Sequence, residues 1–247
     1  MAEDTKFRLG ALGATAQAEI DQGLRAYMLR VYNYMASGLL LTGAIAYTTA
    51  NTPAILSLLY AVGPDGVVQP TLLAWLAMLS PLAFILVLSF GIHKLKARTA
   101  QGLFWLFAAV MGLSLSHIFL VFTGASIARV FFITAGTFGA MSLYGYTTKR
   151  DLTGWGSFLF MGLIGVIIAM VVNMFIASAA LHFAISVIGV LVFVGLTAYD
   201  TQKIKNEYNE ADSSEIAGKK AIMGALRLYL GFINLFLMLL HLFGGRE

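Results

Sequence analysis

The stretch Trp155-Gly-Ser-Phe-Leu-Phe-Met-Gly-Leu-Ile-Gly-Val-Ile-Ile-Ala-Met-Val-Val-Asn-Met-Phe-Ile-Ala177 contains no ionisable side chain and no alternation of polar with apolar positions. As a helix at about 1.5 Å per residue it is long enough to cross a hydrocarbon core of about 30 Å. Lipid offers the backbone no hydrogen-bond partners, so an unbroken apolar run must pair its own N–H and C=O groups; the missing period of two argues against a barrel strand. Six further runs of this kind flank it: Val31 to Thr49, Thr71 to Ile92, Leu103 to Phe122, Ala128 to Tyr146, Leu181 to Tyr199 and Ala221 to Phe243. Of the whole chain 59% is hydrophobic and 11% charged, with a mean hydropathy of +0.83, a composition no water-facing surface could present. The expectation is an all-α membrane protein, a seven-helix bundle over residues 31–243, with an N-terminal tail over 1–30 and a short C-terminal tail over 244–247.

Charge is confined to the connectors. Lys6, Arg8, Arg25 and Arg30 precede the first run; Lys94, Lys96 and Arg98 follow the second, Lys149 and Arg150 the fourth, and Lys203, Lys205, Lys219 and Lys220 the sixth. These make 13 of the 16 basic residues, all on one side of a seven-span chain, against Arg129 and Arg246 on the other and Arg227 inside the last run. The positive-inside rule then places the N-terminus in the cytoplasm and the C-terminus outside. The basic excess faces anionic lipid headgroups, so the bilayer is the partner it implies and nucleic acid is not. The first 30 residues lack a compact apolar core and a small-residue cleavage site, so the first helix is expected to direct insertion itself. The chain has no cysteine, which removes disulfides, thiolate ligands and a thiol nucleophile. Small residues at i, i+4 (Ala135 with Gly139, Gly136 with Ala140, Gly112 with Ser116), together with Gly162 and Gly165, predict close helix packing. Trp75, Trp105 and Trp155 read as interfacial anchors.

The polar groups at membrane depth are His117, Asn173, Asp200, Arg227, Asn234 and His241. An ionisable residue there costs about 2.5–3.5 kcal/mol on insertion, which makes each a candidate for function. Asp200 lies 18 residues after His182, about 27 Å along a helix, near the cytoplasmic edge of the core, where it either meets water or carries a site. Lys203 on the same face offers it a partner. His117 is expected to be neutral and bonded to a nearby carbonyl, and Asn173 and Asn234 to donate between helices. No HExxH, GxSxG or phosphate-cradling glycine loop occurs, so neither an enzyme nor a cofactor is expected.

Four motifs occur in order: Val31-Tyr-Asn-Tyr-Met-Ala36, Tyr146-Thr-Thr-Lys-Arg-Asp-Leu-Thr153, Leu196-Thr-Ala-Tyr-Asp-Thr-Gln-Lys-Ile204 and Leu228-Tyr-Leu-Gly-Phe-Ile-Asn-Leu-Phe236. Together they resemble the Bax inhibitor-1 family over nearly the whole chain. The resemblance implies a seven-helix fold with the last helix central and a pH-sensitive calcium leak, gated by one aspartate on helix six and one on helix seven. Asp200 matches the first; Gly231 stands where the second is expected. Two neighbouring carboxylates share a proton because both cannot ionise cheaply, and a lone Asp200 cannot. With so few oxygen ligands it would hold calcium only weakly. Arg227, four residues before Gly231, either snorkels toward the cytoplasm or pairs with Asp200 across helices six and seven. Tyr229 and Asn234 complete the polar face of the last helix. The alternative implied by the resemblance is a non-conducting regulator of membrane proteins, such as the membrane protease FtsH or cell-death factors, contacting them through the N-terminal tail and the connector Asn206 to Lys220. The absence of cysteine and of a retrieval signal points to a bacterial inner membrane.

Overall fold

The computed structural model describes residues 2–62 and 68–245, with side chains over 21–61 and 69–245. Nine helices and one small hairpin are found among these residues: α1 (Ala2–Asn51), α2 (Pro53–Leu59), β1 (Tyr60–Val62), β2 (Val68–Pro70), α3 (Leu72–Gly91), α4 (Ala97–Leu115), α5 (Ile118–Val121), α6 (Gly124–Thr147), α7 (Thr153–Ile176), α8 (Ala179–Asn206) and α9 (Ser214–Phe243).

The first helix does not begin at Val31. It extends back through the basic segment to Ala2, and Tyr27 and Met28 lie in the core. It ends where sequence demands: Thr52 is extended, Pro53 opens α2, and the axis turns by 95°, because proline has no N–H to donate and disfavours helix in the residue before it. The hairpin pairs Tyr60 with Pro70 at the same end. The third apolar run is also broken, with Ser116 and His117 separating α4 from the single turn of α5. Among the described residues six helical stretches, with α4 and α5 taken as one, are long and apolar enough to cross a bilayer, and seven if the bent pair α1–α2 counts as one. The chain is an all-α membrane protein.

Burial locates the core. In the most apolar window of α9, 67% of residues are buried, against 6% in α7. α9 packs against α1, α4, α6 and α8, whereas α7 rests on α8 and α3 on α4. The tie at its middle is polar. Tyr229 is fully buried, and its hydroxyl lies 2.6 Å from Thr42 Oγ1, which donates at 2.7 Å to the Ala108 carbonyl. Thr42 has one proton and gives it to a carbonyl, so Tyr229 is the donor in the first bond. Three helices, α1, α4 and α9, are thereby fixed in register.

The small-residue expectation divides. A Cβ on Gly112 would meet the Thr42 carbonyl oxygen at 2.7 Å, so α1 and α4 do approach closely there, and one on Gly162 would lie 3.1 Å from Val192. Gly136, Gly139 and Gly165 have no neighbour within 4 Å of such an atom, and Ala135 and Ala140 are exposed. The stripe on α6 is an open face, because α1, the helix across from it, packs on α9 and does not close onto α6 along its length.

Candidate functional site

One end of the bundle gathers the connectors before α4, before α7 and before α9, with most of the basic residues; Asp200 belongs to this end. The apolar run of α8 stops at Tyr199, but the helix continues to Asn206, and this extension forms the site.

Nearly every residue around Asp200 is engaged in construction. The Ala198 backbone passes so close to Gly145 on α6 that no side chain fits between them, and Tyr199 packs on Gly156 of α7. Thr201 Oγ1 is 2.9 Å from Ser142 Oγ, which is 2.7 Å from the Tyr32 hydroxyl, so three helices share one hydroxyl chain. Gln202 clamps the α6–α7 connector, accepting from Leu152 N at 2.8 Å and donating to the Arg150 carbonyl at 2.7 Å. Ile204 is buried against Gly224. Lys205 donates to the Tyr146 carbonyl at 2.8 Å with its ammonium 5.2 Å from that ring's centre.

Asp200 is the exception. Half-buried, its carboxylate makes no hydrogen bond or ion pair among the described residues. The charges whose fields reach it are those of Arg227, Lys203 and Glu207. The expected partnerships are corrected here. Lys203 leans over the Tyr199 ring at 5.9 Å. Arg227 Nη1 reaches Glu207 Oε1 at 3.4 Å, so it bridges α9 to the end of α8 and leaves Asp200 ionically unpaired. Glu207, two helical turns beyond Asp200 and on its face, is the site residue that the sequence reading missed; a spacing of seven on a helix that outlasts its apolar run was the available signal.

A second tie lies beside it. Lys220 Nζ donates to Asp212 Oδ2 at 2.6 Å and to the Glu207 carbonyl at 2.9 Å, folding the α8–α9 connector onto α9. Beneath these charges the Tyr27 hydroxyl is buried with no hydrogen-bond partner among the described residues, and its ring lies 5.7 Å from that of Tyr208. Glu215 Oε1 accepts from Ala97 N at 2.6 Å, placing an anion at the positive end of α4. In the exposed α6–α7 connector, Asp151 accepts from Thr153 Oγ1 at 2.6 Å and Thr153 N at 2.9 Å, and these bonds hold its carboxyl below the ordinary range.

The remaining candidates divide between side chains that tie the fold and positions that stand open. Tyr229 is a core tie. Asn234 is half-buried and makes no hydrogen bond among the described residues, so the interhelical bond expected of it is absent. Asn173 Oδ1 caps its own helix, accepting from Ser178 N at 3.0 Å where Ala177 turns left-handed at φ 52°. His117 Nδ1 lies 2.8 Å from the Ser114 carbonyl. His241 stacks edge-on with His182 at 4.9 Å at the opposite end. Gly231 has space: an added Cβ would find its nearest neighbour, Phe138 Cε2, at 4.0 Å. No cluster of three metal-ligating side chains occurs among the described residues.

Comparison with known proteins agrees with the motifs. The profile of the family described as "Inhibitor of apoptosis-promoting Bax1" matches residues 24–247. The chain belongs to the Bax inhibitor-1 family. Among its Bax inhibitor-1 relatives, the inner membrane protein YbhL of Escherichia coli K12 is 52% identical over 91% of this chain and 94% of its own. Uncharacterized protein RP147 of Rickettsia prowazekii is 51% identical over 92% of both chains. An uncharacterized protein of Caulobacter vibrioides is 47% identical over 94% of this chain and 93% of its own.

Proposed function

We propose that this protein is a cation leak of a bacterial inner membrane, crossing it seven times around a central α9 with the N-terminus and the basic end in the cytoplasm. Calcium is the ion that the family resemblance favours, and YbhL's location supports the membrane. The observation that carries the reading is that Asp200 makes no hydrogen bond or ion pair among the described residues, beside Thr201, Gln202 and Lys205, which tie α8 to its neighbours. An anionic group kept at the edge of the hydrocarbon without a bond to repay its desolvation has no constructional use, and an ion pathway gives it one. A lone carboxylate with hydroxyls and carbonyls binds calcium weakly, which suits passage rather than storage. The Arg227–Glu207 pair is the closure: it spans α8 and α9 over the level of Asp200. Without a carboxylate at position 231 the proton-sharing latch is absent, so closure rests on this pair and responds less to mild acid.

Calcium entry into dye-loaded proteoliposomes at pH 6, 7 and 8 tests this. Flux is expected to fall with Asp200→Asn, to rise with Arg227→Gln or Glu207→Gln, and to gain pH dependence with Gly231→Asp. The two pair variants should not add, since each breaks the same contact. Folded protein that gives no flux above empty vesicles in any variant overturns the leak and leaves regulation of a membrane partner, such as a protease, as the working function.

A further inference from the structure

α1 and α6 both pack on α9 but not on each other along their lengths, and the gap between them is a groove. A cavity of about 710 Å³ occupies it, walled by Met28, Tyr32 and Met35 on one side and Ala135 and Gly139 on the other, with Phe232 of α9 as floor. A second cavity of about 480 Å³ shares Leu39, Phe131 and Phe232 and continues the groove toward the opposite end, as far as Tyr47. Glycine and alanine on the open face of α6 make the room that larger side chains would fill.

The lining specifies the occupant. Its buried hydroxyls are already satisfied, Tyr32 and Ser142 by each other at 2.7 Å and Ser142 by Thr201 at 2.9 Å, so the body of the groove demands an apolar guest. At the basic end stands Arg25, exposed, and without a hydrogen bond or ion pair among the described residues. Lys205 is turned to the Tyr146 carbonyl; Asp21, one turn earlier on α1 than Arg25, is engaged in an interaction of its own. From Arg25 to Leu40 the groove runs about 22 Å along α1, longer than one leaflet of about 15 Å. A guest that is apolar along its length and anionic at the end near Arg25 is a phospholipid. We propose that the α1–α6 groove is a binding site for one anionic phospholipid, its acyl chain between the helices and its phosphate on Arg25.

The protein in mixed phosphatidylglycerol and phosphatidylcholine, extracted mildly and weighed by native mass spectrometry, should retain one phosphatidylglycerol in preference to phosphatidylcholine. Arg25→Gln should lower that preference about fivefold, the worth of one cation at a lipid surface, while leaving a lipid bound. Gly139→Phe should expel either lipid, and Leu191→Phe on the lipid-facing side of α8 should change nothing. A diazirine-tailed phosphatidylglycerol used on the unaltered protein should label residues 28–40 and 131–143. Labelling spread over all lipid-facing helices, retention without headgroup preference, a free fatty acid as the retained species, or a dimer that carries no lipid in the groove would each overturn the proposal.

Discussion

At the residue scale, the signature Leu196–Ile204 divides by what each side chain touches, and the division makes opposite predictions for adjacent residues. Gln202 satisfies two backbone groups of a connector, one of them the buried Leu152 N–H. Gln202→Ala strands both, and the cost of an unsatisfied buried group, about 1–3 kcal/mol, should appear as a lower midpoint in thermal or denaturant unfolding. Asp200→Asn removes no bond and should leave that midpoint unchanged while reducing flux; a large loss of stability would mean that Asp200 is structural after all. Asp151 provides the pH-dependent case. Its folded pKa lies below the ordinary carboxylate value, so its bonds to Thr153 are fully present above that value and are lost as pH falls through the lowered one. Protection of the Thr153 amide against hydrogen exchange should follow that fall, and Asp151→Asn should abolish the pH dependence. What the sequence made visible at this scale was Asp200 itself, a carboxylate at membrane depth. The partner of Arg227 was hidden, because the reading ended the helix with its apolar run, and Glu207 then looked like part of a solvated connector.

At the scale of elements, apolar length read the spans well and small-residue spacing read the contacts poorly. The runs at 128–146, 155–177 and 221–243 lie inside α6, α7 and α9 to within a few residues, since a hydrocarbon core imposes one length on all of them. Polar extensions such as α8 beyond Tyr199 and α1 before Val31 fall outside that rule; they are set by tertiary contacts that periodicity does not encode. Small residues permit approach without requiring it, so Gly145 and Gly139, both on α6, differ only in what stands opposite. Gly145→Ala would drive a methyl into the Ala198 backbone and force α6 and α8 apart, at about 1–3 kcal/mol. Gly139→Ala meets nothing within 4 Å and should be neutral or slightly stabilising, as alanine is the better helix former. Unfolding midpoints of the two variants in one detergent decide the matter, and equal losses would contradict the packing described for α6.

At the scale of the whole molecule, the bent pair α1–α2 makes the topology a question of parity. If α1 crosses the bilayer, Gln22 shares a side with Glu210 in the α8–α9 connector; if α1 does not cross, Gln22 shares a side with Gln69 in β2. The basic residues argue for the first arrangement, because Arg25 and Arg30 then join Lys94, Lys149 and Lys205 at the cytoplasmic face, and a core element packed on α4 and α9 with Tyr27, Met28 and Val31 buried would not lie flat outside the bundle. The absence of cysteine gives a silent background for labelling. Gln22→Cys, Glu210→Cys and Gln69→Cys, each at an exposed position, should divide under an impermeant maleimide: the first two react in inside-out vesicles, the third in right-side-out ones. Gln22→Cys reacting together with Gln69→Cys would show that α1 does not span. A full reversal of the pattern would place Asp200 and the Arg227–Glu207 pair at the outer face, and the closure proposed above would then have to answer to external rather than cytoplasmic conditions.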